Sequence, residues 1–212
     1  RQAQLSPVIN TLEQLNLWQE ARVDIGTKAA LQLDTGMQRL GLGETICAQL
    51  AADGFDAETQ QIGLVMSHLA SADQMDVSDA LTQKAVFDRL IDQLGLGDIP
   101  KSLANSAGIS HCAGHPELAY DLTRPGIALY GAQPYAGANL HLEQTVKLTT
   151  QIVQLTNAKA GSHVGYGNAH TLDRDSIIAT VPVGYGDGYP RHAPSGTPVY
   201  INGKKVPTIG RV

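Results

Sequence analysis

Positive charge is scarce in this 212-residue chain: 15 lysines and arginines stand against 20 aspartates and glutamates, for a net charge of −5. That balance leaves no basic footprint for nucleic acid. No run of eighteen apolar residues is present, so nothing reads as a membrane-spanning helix. Cysteine is nearly absent. Cys47 and Cys112 are too few for a disulfide framework and read as small buried hydrophobes of a reducing, cytoplasmic compartment. No signal segment is evident, although the chain opens at Arg1. Gly184 to Gly188 is glycine-rich but lacks the Gly-Lys-Ser/Thr ending of a P-loop, which argues against nucleotide binding. What remains is a soluble protein with a small-molecule ligand, neither nucleic-acid-binding nor membrane-bound.

What is present is an alternation of two patterns. Asn10 reads as a helix cap with Glu13 reaching back to it, ahead of a helix over about 11 to 20. The apolar run Ala29 to Asp34 fits a buried strand that turns at Thr35-Gly36, and residues 44 to 53 read as a helix stopped by Gly54. Gln61 to His68 repeats the strand. Ser78 reads as the cap of a helix whose apolar positions Leu81, Val86, Leu90, Ile91 and Leu94 share a face. Ser102 to Asn105 and Gly126 to Tyr130 are further strands, with a short helical segment around His111 to Leu122 between them. Apolar strands alternating with amphipathic helices imply a parallel sheet covered by helices. Spacing alone leaves half of a doubly wound sheet and part of a barrel equally open.

Near residue 137 the pattern changes. Val146, Leu148, Ile152, Val153 and Leu155 interleave with polar residues, as in a half-exposed antiparallel strand. Ser176 to Val183 is a second strand, and Asn202-Gly203 between Val199-Tyr-Ile201 and Lys204-Lys-Val206 is a hairpin turn. The expected fold class is therefore α/β, an α/β domain over 1–137 followed by an antiparallel β domain over 138–212. His111, Cys112 and His115 could offer metal-ligand atoms, but three near neighbours in one loop cannot close a site. No metal is expected.

The chemistry gathers on six motifs. In Asp121 to Gly131, Arg124 precedes Pro125 and Gly126. Proline restricts the arginine and glycine lets the backbone approach a ligand, a combination suited to an anion or cofactor contact, although a loop arginine before a buried strand would read the same way. With it stand Asp34-Thr-Gly-Met-Gln-Arg-Leu-Gly41, Ser67-His-Leu-Ala-Ser-Ala-Asp73, Ala104-Asn-Ser-Ala107, Val164-Gly-Tyr-Gly167 and Gly184-Tyr-Gly-Asp-Gly-Tyr-Pro-Arg191. In this order they resemble the alanine racemase family along nearly the whole chain.

The resemblance implies the later units of a TIM-type (β/α)8 barrel over 1–137 and the first part of a C-terminal β domain over 138–212. It implies pyridoxal 5'-phosphate as cofactor, with Ser106, Gly126 and Ile127 at its phosphate, Arg124 at its pyridine nitrogen and His68 against its ring. Arg39 matches the arginine near the cofactor's phenolic oxygen and the substrate carboxylate, and Tyr185 lines the entry side. Tyr166 matches one of two bases, since racemisation removes a proton from one face of the α-carbon and delivers it to the other. The family shares its sites across a homodimer, converts L- to D-alanine through a cofactor aldimine, and supplies bacterial peptidoglycan precursors.

Both ends read as cut, so the chain is expected to be part of a longer polypeptide, with the family's cofactor lysine upstream. None of Lys28, Lys84, Lys101, Lys147, Lys159, Lys204 or Lys205 stands in a context like that lysine's, and the chain alone is expected not to racemise alanine. Two other readings stay open: a broad-specificity amino-acid racemase, and a barrel protein that binds pyridoxal phosphate without turnover. One departure is visible. Many members carry a lysine two residues before the motif aspartate, and here that position is Gln32; an anion such as chloride is expected to offset the partly buried charge of Arg39 in its place.

Overall fold

In a computed structural model, residues 5–21 and 26–211 are described. The chain divides into two units, 1–146 and 147–212. The first is built on five parallel strands, β1 (Val8–Ile9), β2 (Ala29–Gln32), β3 (Ile62–Met66), β4 (Lys101–Asn105) and β5 (Leu122–Arg124), neighbours in sequence order. That order decides what spacing left open. A doubly wound sheet reverses direction at a switch point, whereas a barrel adds each strand beside the one before it. The sheet is an open five-stranded α/β segment, with no closed barrel among the described residues.

Helices α1 (Leu12–Ala21), α2 (Glu44–Ala52), α3 (Ser78–Gln93) and the short α4 (Ser106–His111) connect the strands. Every residue of β2 is buried, as expected of a strand covered on both faces. Leu15 and Trp18 of α1, Cys47 and Leu50 of α2, and Phe87, Leu90 and Ile91 of α3 join Leu31, Val65 and Leu103 of the strands in one core. Each fully buried leucine or phenylalanine contributes roughly 1.5–3 kcal/mol by leaving water. On α3, Ala80, Gln83 and Phe87 are the buried residues alongside Leu90 and Ile91, while Leu81 and Val86 lie at the core's edge. From β2 to β4, helix and strand thus formed where the apolar periods placed them.

Local details differ from the sequence reading. The α1 cap is Thr11, whose hydroxyl accepts the Gln14 N–H at 3.1 Å, while the Gln14 side chain accepts the Asn10 N–H at 2.7 Å. The expected Asn10–Glu13 box is thus replaced by a Thr11 cap, with Gln14 reaching back one residue beyond it to Asn10. Ser78 begins α3 rather than capping it, and the Asp76 carboxylate accepts its N–H at 2.9 Å. Most consequential, Gly126 to Tyr130 is not a strand. β5 ends at Arg124, where Pro125 cannot donate to a ladder, and Ile127–Tyr130 form a 3-10 turn with Ile127, Leu129 and Tyr130 exposed.

The second unit consists of antiparallel pairs. β6 (Gln154–Ala158) pairs with β9 (Ser176–Thr180), β7 (His163–Val164) with β8 (His170–Thr171), and β10 (Pro198–Ile201) with β11 (Lys204–Pro207). Asn202 and Gly203 have φ of 49° and 79°, the left-handed pair a two-residue hairpin requires. The long strand expected from Val146 onward starts only at Gln154, and Val146, Leu148, Ile152 and Val153 lie exposed before it. Alternation was present in the sequence, but among the described residues pairing begins only at Val153, whose N–H donates to the Thr180 carbonyl at 2.9 Å. The strand expected over 176–183 ends at Thr180.

Candidate active site

The carboxyl ends of β2 to β5 bring the first-unit motifs together. After β2, the Asp34 carboxylate accepts the N–H groups of Gly36 and Gln38, each at 3.0 Å, and curls the loop that carries Arg39. The loop then folds back onto its own strand: Leu42 N–H donates to the Gln32 carbonyl at 2.8 Å and Asp34 N–H to the Leu42 carbonyl at 3.0 Å. Gly41 permits this approach. A Cβ there would stand 2.7 Å from the Asp34 nitrogen, and its φ of 118° disfavours side chains independently. Arg39 itself is exposed. The buried amide of Gln32 donates to the Leu40 carbonyl at 3.2 Å. The compensating anion expected beside Arg39 concerns the complete enzyme and stays a proposal; among the described residues the guanidinium is solvated, which lowers the cost an anion would have to offset.

His68 leaves the end of β3, and Asn105 the end of β4. Asn105 Oδ1 accepts the Gly108 N–H at 2.9 Å, capping α4, while its Nδ2 donates to the Leu69 carbonyl at 3.2 Å. That orientation turns the same Nδ2 towards His68 Nε2, a long contact of 3.5 Å. The contact is too long to fix a tautomer; a neutral ring with its lone pair on Nε2 is the form that can accept from Nδ2. The electrostatics agree: burial first, then the charges of Arg124 and Arg39, hold the imidazole below its ordinary pKa. His68, Arg39 and Arg124 thus feel one another in one locality.

Arg124 is half-buried at the end of β5. One guanidinium nitrogen, Nη1, donates to Ser102 Oγ and the other, Nη2, to the Ser67 carbonyl at 2.5 Å. Ser102 Oγ passes its own proton to the Leu122 carbonyl at 2.7 Å. Burial lowers the guanidinium's pKa, yet from so high a starting value that the group stays charged. Two residues on, Gly126 N–H donates to Ser106 Oγ at 2.7 Å and Ala128 N–H to the same oxygen at 3.3 Å. With both lone pairs engaged, the serine proton is left free to donate outward, and Ile127 opens the 3-10 turn with an N–H the turn does not use. A hydroxyl proton and a turn-opening amide suit a phosphate monoester, and the fixed cation of Arg124 suits a ring acceptor of the same ligand. The donor set therefore fits pyridoxal phosphate.

Tyr166 and Tyr185 belong to the second unit, each opening a 3-10 turn after a glycine. Tyr166 is 84 % exposed and Tyr185 65 % exposed, with Arg191 5.8 Å from the Tyr185 ring centre. His111, Cys112 and His115 are engaged separately: His111 Nε2 contacts the Ala72 carbonyl at 2.9 Å, the Cys112 thiol donates to the Gly108 carbonyl, and His115 meets Glu117. Among the described residues no group of three or more metal-ligating side chains occurs, and no helix is long and apolar enough to cross a membrane. Cys47 is buried and Cys112 half-buried, and both are free thiols. A groove of about 330 Å³ between α1 and α2, lined by Leu12, Ile46 and Phe55, shares no residue with the cluster just described.

Sequence reasoning missed Ser102, Gln83 and the Ala128 N–H. Ser102 follows Lys101 in β4 and faces inward by strand alternation, a signal visible only once β5 is known to lie beside it.

Comparison with known proteins follows the same lines. Residues 1–134 match the family model "Alanine racemase, N-terminal domain" and residues 145–212 the model "Alanine racemase, C-terminal domain". The chain is 40 % identical over 208 residues to a catabolic alanine racemase of Rhizobium johnstonii, covering 97 % of this chain and 54 % of that protein. It is likewise 40 % identical over 210 residues to an alanine racemase of Rhodospirillum rubrum, covering 98 % of this chain and 55 % of that one. The chain thus spans about half the length of the curated relatives it matches. Among solved structures, alanine racemase of Bartonella henselae with covalently bound pyridoxal phosphate superimposes with a TM-score of 0.80 at 32 % identity, over 99 % of this chain and 58 % of that one. Alanine racemase of Streptomyces coelicolor gives 0.84 at 26 % identity, over 99 % of this chain and 57 % of its own. With both domain models matched in order, the chain belongs to the alanine racemase family.

Proposed function

We propose that this chain is part of a pyridoxal phosphate-dependent enzyme that interconverts L- and D-alanine. The observation that carries the reading is the cradle at the ends of β4 and β5, where Ser106, Gly126 and the turn at Ile127 adjoin a charged, two-point-anchored Arg124. Ser106, Gly126 and Ile127 would hold the cofactor phosphate, Arg124 would donate to the pyridine nitrogen, and His68 would pack against the ring. Bound there, the cofactor supplies the electron-withdrawing system that makes an amino acid's α-proton removable. Because Arg124 keeps its proton, the ring nitrogen would stay unprotonated and the withdrawal limited, which favours returning the proton over side reactions.

Arg39 would take the substrate carboxylate. Its exposure on a loop closed by Asp34 and Gly41 leaves the guanidinium free for an incoming anion. Tyr166 would move the proton on one face of the α-carbon, acting in the site of a partner subunit of a homodimer. Its exposure within its own unit supports this, since the phenol is committed to nothing else there. Tyr185 would line the entry. Residues 1–137 would be later units of a (β/α)8 barrel and 138–212 the first part of the β domain. A cytoplasmic role in D-alanine supply for bacterial peptidoglycan follows from the same reading.

The test uses the complete protein reconstituted with pyridoxal phosphate and given L-alanine in deuterated water. D-alanine with deuterium at the α-carbon, dependent on added cofactor, is the expected result. Cofactor binding without α-proton exchange would replace the enzyme by a cofactor-handling protein, and equal rates on bulkier amino acids would replace alanine specificity by a broad one.

A further inference from the structure

Gln83 is an anomaly on the buried face of α3. It is 8 % exposed among Ala80, Phe87, Leu90 and Ile91, where a methionine of similar length would pack without an amide to satisfy. All of its polar atoms are used, and all point at the strand ends. Oε1 accepts the Ala70 N–H at 2.7 Å, and Nε2 donates to the His68 carbonyl and to Thr35 Oγ1, both at 3.2 Å. Two of these bonds hold the backbone on either side of Leu69, directly after His68. The third reaches the start of the loop that carries Arg39.

The relay beyond Thr35 has a fixed polarity. Ser67 Oγ donates to the Leu33 carbonyl at 2.8 Å and has one proton. In the 2.8 Å contact between Thr35 Oγ1 and Ser67 Oγ, threonine is therefore the donor, which leaves its lone pairs for Gln83. The run Gln83 to Thr35 to Ser67 to Leu33 ties the helix to the exits of β2 and β3, and Thr35 and Ser67 are both buried. Arg124 Nη2 closes the arrangement on the Ser67 carbonyl.

We infer that Gln83 is a positioning residue for the candidate site, acting through His68, Thr35 and Ser67 on the placement of the His68 ring and the Arg124 guanidinium. The inference rests on the reading of that site as a pyridoxal phosphate site. Gln83 touches neither cofactor nor substrate on this account; it sets where the groups that touch them stand. Removing its amide leaves the His68 carbonyl, the Ala70 N–H and the Thr35 hydroxyl short of partners in a dry setting, and the segment 67–70 is then free to shift.

The experiment compares three variants in the complete protein. Gln83→Met keeps the volume and removes all three hydrogen bonds, Gln83→Glu keeps the shape and sets an acceptor against two acceptors, and Phe87→Leu on the same helix is a packing control. Gln83→Met should weaken pyridoxal phosphate binding by about tenfold, the scale of one or two hydrogen bonds lost with their partners left buried. It should also shift the bound cofactor's absorption band and, in cofactor-free protein, the ring nitrogen resonances of His68. Phe87→Leu should lower the denaturation midpoint without either spectral change. Wild-type affinity, band and His68 resonances in Gln83→Met, or equal shifts in Phe87→Leu, would make Gln83 a packing residue and overturn the inference. Should Gln83→Met not fold, Gln83→Glu and Thr35→Val carry the same comparison. If the unsubstituted protein binds no pyridoxal phosphate, the reading of the site fails instead, and the His68 resonances still decide the positioning role.

Discussion

The two units position their candidate residues by opposite means. In the first, His68 and Ser106 follow the ends of β3 and β4, strands that carry core residues, while Arg124 ends the shorter, more exposed β5. Arg124 and Ser106 are each held by two hydrogen bonds and His68 by one long contact to Asn105. In the second, Leu172 is the buried hydrophobic residue among those described, while Leu155, Ile177 and Tyr200 lie exposed on paired strands. Tyr166 and Tyr185 are placed there by glycine-led turns rather than by packing. A core fixes a side chain through many neighbours; a turn fixes only the backbone beneath it. The comparison suggests a rigid cofactor cradle in one unit and, in the other, a phenol whose chemistry depends on what it meets outside its own unit.

Substitutions test that contrast, beginning with the phenol. In the complete protein, Tyr166→Phe is expected to lower proton removal from one alanine enantiomer by about 100- to 10,000-fold, the range of a lost general base, with the other enantiomer affected far less. Equal deuterium washout from both enantiomers would remove Tyr166 from the reaction. Next, Leu31→Ala should cost about 2–5 kcal/mol, because the cavity it leaves sits among fixed neighbours, whereas Leu155→Ala should stay within about 0.5 kcal/mol. Denaturant titration of each variant measures both. Similar losses at the two sites would show that the second unit has a covered core after all.

A smaller effect concerns His68. Its imidazole is held below the usual value, so its neutral form contributes stability that is complete above the unfolded pKa and is lost as pH falls through the folded one. The gap in denaturation midpoint between wild type and His68→Asn should therefore be larger at about pH 8 than at about pH 5, on either side of the ordinary histidine value. A gap that widens on acidification would mean that the folded state prefers the charged ring. The smallest effect is at Arg39. With the guanidinium in solvent, replacing chloride by a bulkier anion should leave activity of the complete enzyme unchanged, and a halide-dependent rate would support the anion that the exposed side chain argues against.

Much of the first unit was legible before any coordinates. The apolar runs at 29–34 and 61–68 and the helical period after Ser78 announced strands and helices, because burial demands those repeats. Asp34, His68 and Asn105 fall at the ends of such runs, whereas Arg124 was read as standing before a strand and in fact ends β5. The segment after Pro125 was misread, since Ile-Ala-Leu-Tyr satisfies a strand's composition and its exposure depends on neighbours in space. The same holds for Val146 to Ile152, where alternation was real but no strand formed; ladder pairing begins only at Val153.

What the sequence by itself determined is the kind of element at most stretches of the first unit and the family to which six ordered motifs belong, because periodicity and turn chemistry act over a few residues. The strand order β1 to β5, the meeting of Asn105 with His68, the two anchors of Arg124 and the reach of Gln83 from a helix to two strand ends were decided only by tertiary structure. Each of those depends on groups between 15 and 57 residues apart in the chain, such as Gln83 with His68 and Arg124 with Ser67. A hydrogen bond needs its partners within about 3 Å, and no local pattern along a chain can specify which distant donor will arrive there.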